Sequence, residues 1–72
     1  MNKTESKTIK AAVKTGFTFS GDSIFSSYTQ AKRTLNSLVR GGYLKAETDG
    51  DGRTAYFPTD AARDFSQYGI TA

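Results

Sequence analysis

Residues 29–42 read TQAKRTLNSLVRGG, with Lys32, Arg33 and Arg40 as cations, no acid, and a double glycine at the end. Side chains of this kind bind anions. Lysine brings a point charge, and arginine a planar fork that meets phosphate or carboxylate oxygens in pairs. Gln30 and Asn36 add amides that donate and accept at once. The bland account of the same stretch is the solvated side of an amphipathic helix, since an exposed helix face is polar in any small domain. The surrounding elements have to decide between the two.

Other chemistry finds little support in the residues. The chain has no cysteine and no histidine, which excludes disulfides and zinc sites of the usual Cys/His kind. Nucleophilic catalysis would have to rest on Ser or Thr with Asp, Glu or Lys, and no signature spacing supports it, so no enzymatic activity is expected. The run DGDGR, residues 49–53, invites comparison with a calcium loop. Counted from Asp49, however, position 5 is Arg53, position 6 is Thr54 and position 12 is Asp60, where the loop needs an oxygen ligand, Gly and Glu. A hairpin turn is the better account. No glycine-rich phosphate loop occurs either. Neither a metal nor a cofactor is therefore expected.

The charge is unevenly placed. Residues 1–45 hold eight Lys or Arg against two acids, and residues 46–72 hold two against five, so the net +3 is a basic half joined to an acidic one. That asymmetry suggests a positive face directed at a polyanion. The 72 residues are expected to form a single domain over 1–72, with no repeat and no linker. Stability must come from an apolar core, helped by a dimer interface or a bound partner. No leader pattern follows Met1, and no stretch reaches the ~20 apolar residues of a membrane span. A soluble cytoplasmic protein with no membrane partner is expected.

The apolar periodicity supplies the elements. Ile9, Ala12 and Val13 recur at helical spacing over residues 4–15, with Thr4 or Ser6 as the expected N-cap and Gly16 as the stop. Lys3, Lys7, Lys10 and Lys14 line the opposite side of that helix. They read as a solvated face, with phosphate contact as the sharper alternative. FTFS, residues 17–20, reads as a short strand or extended connector that drops Phe17 and Phe19 into the core. Asp22 or Ser20 then caps a brief helical turn carrying Ile24 and Phe25, and Tyr28 lies in the link. Thr29 is the expected cap of the next helix. Over residues 30–40, Ala31, Leu35 and Leu38 share a narrow arc, with Arg33, Ser37 and Arg40 opposite. The runs 43–48 and 53–58 alternate around the DGDG turn, a strong hairpin signal, with Tyr56 and Phe57 on opposite faces. Thr59 caps a last helix that carries Ala61, Ala62 and Phe65 and ends at Gly69.

The run Ala31, Lys32, Arg33, Leu35, Leu38, Gly42, Tyr43, Leu44, then DGDGR and AYFPTDAAR, resembles the small winged helix-turn-helix regulators of the MarR, PadR and PapI-like kind. The resemblance covers residues 22–65 and is at the level of a superfamily pattern. It implies an α+β winged helix-turn-helix with a three-helix core, a two-stranded β-hairpin wing and a short C-terminal helix. It further implies binding to double-stranded DNA, with helix 29–40 in the major groove and hairpin 43–58 as the wing, in a transcriptional regulator or a phage- or plasmid-type accessory factor.

On that resemblance Thr29, Gln30, Lys32, Arg33 and Asn36 face the DNA, with Tyr28 near its backbone and Arg53 at the base of the wing. Arg matches guanine, and Gln or Asn matches adenine, while Lys32, Thr29 and Tyr28 suit phosphate oxygens. Arg40 complements the helix C-terminus and stands aside. Two departures qualify the resemblance. Asp49 and Asp51 put negative charge on the wing, and the chain is too short for the long dimerisation helices of MarR-type proteins. A homodimer would have to use the first helix, the last helix or an edge strand. The acidic wing and C-terminal half keep open an alternative, a winged helix that docks on polymerase or another protein partner.

Overall fold

Each helix starts where a short polar side chain can accept from the amides that the first turn leaves without a partner. In the computed structural model, which describes residues 1–69, these starts give the order α1 (Lys3–Thr15), α2 (Tyr28–Arg40), β1 (Leu44–Thr48), β2 (Thr54–Pro58) and α3 (Asp60–Tyr68). The last three residues of the expected 1–72 domain lie outside the described residues. The architecture is α+β, three helices and one two-stranded antiparallel hairpin.

Two of the caps differ from expectation. α1 is capped by Asn2, not by Thr4 or Ser6. Asn2 Oδ1 accepts from the Glu5 amide at 2.8 Å, and Glu5 Oε1 accepts from the Asn2 amide at 3.1 Å. This reciprocal capping box satisfies two donors at once, which a cap at Thr4 or Ser6 would not do. α2 is capped by Ser27, not by Thr29: Ser27 Oγ accepts from the Gln30 amide at 3.1 Å. Tyr28 and Thr29 therefore belong to the first turn of α2 rather than to the link. α3 starts as expected at Thr59, whose hydroxyl also donates to the Gly42 carbonyl at 2.6 Å and so ties α3 to the exit from α2.

That exit depends on Gly42. The Tyr43 amide donates to Leu38 O at 2.9 Å and the Gly42 amide to Val39 O at 3.1 Å, with Gly42 at φ 85°. The pair of bonds closes the helix and turns the chain straight into β1. A Cβ at Gly42 would meet nothing within 4 Å, so the cost of Gly42→Ala is conformational alone. It is expected to lower stability by about 1–2 kcal/mol, read as a lower urea midpoint with unchanged slope.

β1 and β2 pair with Leu44 opposite Pro58, Ala46 opposite Tyr56 and Thr48 opposite Thr54. Leu44 and Tyr56 face inward and Phe57 outward, as the alternation requires. The core gathers Ile9 and Ala12 from α1, Leu35 and Leu38 from α2, then Tyr43, Leu44, Tyr56 and Ala62. Val13, Phe25 and Phe65 pack against it, the last edge-on to Tyr43 at 6.2 Å between ring centroids.

The segment between α1 and α2 corrects two further expectations. Phe17 and Phe19 do not enter the core; they stay 41% and 43% exposed, and Thr18 is buried instead. Thr18 forms a single bridge to β2, donating to Tyr56 O at 2.9 Å and accepting from the Tyr56 amide at 2.8 Å. Residues paired across a bridge share a face, so Thr18 follows Tyr56 inward and its two neighbours turn out. The Thr18 hydroxyl is satisfied there by Asp22 Oδ2 at 3.2 Å. The brief helix expected after Asp22 is a pair of hydrogen-bonded turns, with the Asp22 amide on Phe19 O and the Phe25 amide on Asp22 O. Asp22 also accepts from the Ile24 amide at 3.5 Å, a local bond that competes with helix formation.

Candidate nucleic-acid interface

α2 has one apolar and one polar face. Ala31, Thr34, Leu35 and Leu38 are buried, while Thr29, Arg33, Asn36 and Arg40 are exposed. The helix carries no acid anywhere along its length. Its outward face therefore presents cations and amides with no acid of the helix itself among them. Among the described residues, ion pairs join Lys45 to Glu47 and Asp60 to Arg63, and neither involves Lys32, Arg33 or Arg53.

The residues expected to face DNA fall into three groups. Thr29, Arg33 and Asn36 lie on the exposed face of α2. Tyr28, Lys32 and Arg53 line one open cleft of about 870 Å³ between the start of α2, the 17–20 connector and the hairpin. Lys32 is half-buried where it lines that cleft. Gln30 stands apart. Its Oε1 accepts from the Ser26 amide at 2.8 Å and the Ser26 hydroxyl at 2.9 Å, so the amide is turned back on the helix start. A two-bond contact with adenine needs that oxygen free. A serine cap with Gln three residues on is a legible helix-start signal, and Ser27 with Gln30 is one; reading it would have assigned both residues to the cap.

One of the two wing acids, Asp49, also finds an explanation. Asp49 Oδ1 accepts from the amides of Asp51 and Arg53 at 2.9 and 3.0 Å, and the Asp49 amide donates to Arg53 O at 2.9 Å. Asp49 thus shapes the turn that presents Arg53, a role that an aspartate in a hairpin commonly fills.

The sequence reading missed the aromatic lining of the cleft. Phe17, Phe19 and Phe57 stand together, with Phe17 and Phe19 at 6.2 Å and 24° between planes, and Phe17 and Phe57 at 6.5 Å. Their assembly depends on the Thr18 bridge to Tyr56, which has no local signature.

The orientation of α2 against α1 has its own anchor. Ser37 Oγ donates to Glu5 Oε2 at 2.8 Å, a contact across 32 residues. The Asn2 amide first, and then the Ser37 hydroxyl, hold the Glu5 carboxyl below the ordinary glutamate range, against a smaller opposing effect of burial. With the folded-state pKa depressed, the ionised carboxylate stabilises the fold above the unfolded-state pKa. That contribution is lost as pH falls through the folded-state value. Glu5→Gln should accordingly unfold at lower urea than wild type at neutral pH, and the gap should close under acid conditions where both side chains are uncharged. A gap that persists in acid would mean that packing, not charge, is responsible.

No family model matches the chain, and no match is found among curated proteins or among solved structures. Among the described residues no helix is long and apolar enough to cross a membrane. The site is thus defined by the chain's own residues, as an acid-free helix beside an arginine-based hairpin on a small α+β domain.

Proposed function

We propose that this chain is a winged helix-turn-helix protein that binds double-stranded DNA with sequence preference, placing α2 in the major groove and the β1/β2 hairpin alongside as the wing. The observation that carries the reading is the acid-free outward face of α2, with Arg33 and Asn36 on it and Lys32 and Arg53 lining the adjoining cleft. Arg33 and Asn36 read base edges, and Thr29, Tyr28, Lys32 and Arg53 hold phosphates. Gln30 serves the helix start, so that base reading falls to fewer side chains. The turns at residues 20–27 stand where the motif has its first helix, and they deliver the chain to the Ser27 cap. Lys3, Lys7, Lys10 and Lys14 are all exposed on α1 and add to the attractive field. The biological role consistent with this chemistry is a transcriptional regulator or a phage- or plasmid-type accessory factor that acts by occupying DNA, without catalysis or cofactor, in the cytoplasm.

Selection of bound sequences from a random duplex pool tests the proposal. Enrichment of a short motif is expected, together with affinity that falls steeply as salt rises, because each phosphate contact releases counterions. Failure to retain any duplex at low salt would overturn it. The second reading, a winged helix docking on polymerase or another host or regulatory protein, draws on exposed Asp51 and on the acids of α3. It loses ground at Asp49, whose carboxylate serves the turn.

A further inference from the structure

Three phenylalanines on the surface of so small a domain need an account. Thr18 and Tyr56 pair across the bridge and face the core. The alternation of extended backbone then turns Phe17 and Phe19 on one segment, and Phe57 on the other, toward the opposite side. None of the three belongs to the core. They form a strip along the cleft that Tyr28, Lys32 and Arg53 also line.

The charges beside the strip say what could cover it. Lys32 and Arg53 enter no ion pair among the described residues. The two acids of the cleft have other duties: Glu47 lies 3.8 Å from the Lys45 ammonium, and Asp49 accepts from the turn amides. An apolar peptide would cover the rings but make no direct pair with Lys32 or Arg53. An intact duplex would match the cations but keep its base faces stacked inside. Unpaired nucleotides offer flat apolar faces for the rings and one negative charge per residue for Lys32 and Arg53.

We propose that Phe17, Phe19 and Phe57, with Lys32 and Arg53 beside them, form a stacking platform for single-stranded nucleic acid, roughly two to three nucleotides long. Tyr28 and Lys32 border both this platform and the outward face of α2. A strand leaving the end of a duplex held on α2 can therefore continue across the rings. The inference shares its electrostatics with the duplex-binding reading but does not require a duplex.

The test compares four labelled probes by fluorescence anisotropy at one salt concentration. They are a blunt duplex, the same duplex with a single-stranded tail of about six nucleotides, and the tail sequence alone as DNA and as RNA. The tail is expected to tighten binding about tenfold over the blunt duplex, the gain typical of a base stacked on an aromatic ring. Phe17→Leu and Phe57→Leu, which keep apolar bulk but offer no ring face, should each remove most of that gain and leave blunt-duplex affinity unchanged. The DNA and RNA strands distinguish the two sources of unpaired bases, and tighter binding of either alone supports the platform. A wild-type protein that gains nothing from the tail and binds neither strand overturns it. So does a full gain retained by both leucine variants, which would point to general apolar adhesion. Because the wild-type comparison decides by itself, misfolding of one variant does not blunt the test. Single strands bound without any duplex would uphold the platform and overturn the duplex reading; blunt duplex bound with no gain from the tail and with neither strand bound would do the reverse.

Discussion

The double substitution Lys32→Ala/Arg33→Ala is expected to abolish duplex binding at moderate salt without changing thermal stability. Arg33 is exposed and Lys32 half-buried on α2, and neither enters an ion pair among the described residues. Alanine is the better helix former at both places, so the fold should be unaffected within about 0.5 kcal/mol. Binding should respond very differently. An arginine that takes a guanine edge discriminates by about 1–3 kcal/mol, and a lysine on phosphate contributes a charge-assisted bond of roughly 1.5–3 kcal/mol. Loss of both, about 2.5–6 kcal/mol together, would weaken binding by roughly 60-fold to 20,000-fold on the usual conversion of about 1.4 kcal/mol per factor of ten.

The two cations should separate in their salt dependence. Lys32→Ala alone should reduce the slope of log affinity against log salt by about 0.9, the value for one phosphate contact in duplex DNA. Arg33→Ala should instead relax sequence preference at one position of the selected motif. Arg40→Ala is the internal control. It sits in the last turn of α2, where its charge complements the helix C-terminus, and binding should barely respond. Wild-type affinity in the Lys32/Arg33 double variant would remove the basis for placing α2 in the groove.

Leu35→Ala is expected to remove a large share of the fold's stability. Leu35 has no exposed surface and stands in the middle of α2, within the core shared by α1, Tyr43, Leu44 and Tyr56. Truncating a fully buried leucine costs about 2–5 kcal/mol, part of it lost transfer energy and part an unfilled cavity. A chain of 72 residues has roughly 4–11 kcal/mol in total at the usual stability per residue. The substitution therefore removes between a fifth of the stability and all of it, and circular dichroism at rising urea should show the midpoint move sharply toward zero. Phe19→Ala is the instructive contrast. A phenylalanine in the core would cost about 3–5 kcal/mol on truncation, whereas Phe19 is 43% exposed and should cost less than half as much. Equal losses at Leu35 and Phe19 would contradict the outward placement of the 17–20 connector.

Much of the fold was legible because its signals are local. The spacing of Ile9 and Ala12, and of Ala31, Leu35 and Leu38, marks the two longer helices and their buried faces. Gly16 and Gly69 mark helix ends through positive φ, which other residues adopt at a cost. The DGDG run between two alternating segments announces the hairpin, and Thr59 the start of α3. Two of the helix starts were mislocated by a few residues because several polar side chains near each start can cap. The reciprocal bonds of Asn2 with Glu5, and the Ser27 cap with Gln30 behind it, outcompeted the nearer candidates. For the candidate site, the cationic face of α2 could be read from periodicity, and Ser27 with Gln30 signals a helix start, but that Gln30 turns back to Ser26 in particular is seen only in the structure.

By itself the sequence determined the elements, their caps to within a few residues, the apolar face of each helix and the uneven charge, all of which depend on neighbours a few positions apart. Tertiary structure alone decided which side of the FTFS segment is inside. Alternation places Phe17 and Phe19 on one face and Thr18 on the other, and it is silent on which face meets the core. The bridge from Thr18 to Tyr56, across 38 residues, settles that choice, buries the threonine with Asp22 as its partner, and leaves three aromatic rings beside Lys32 and Arg53.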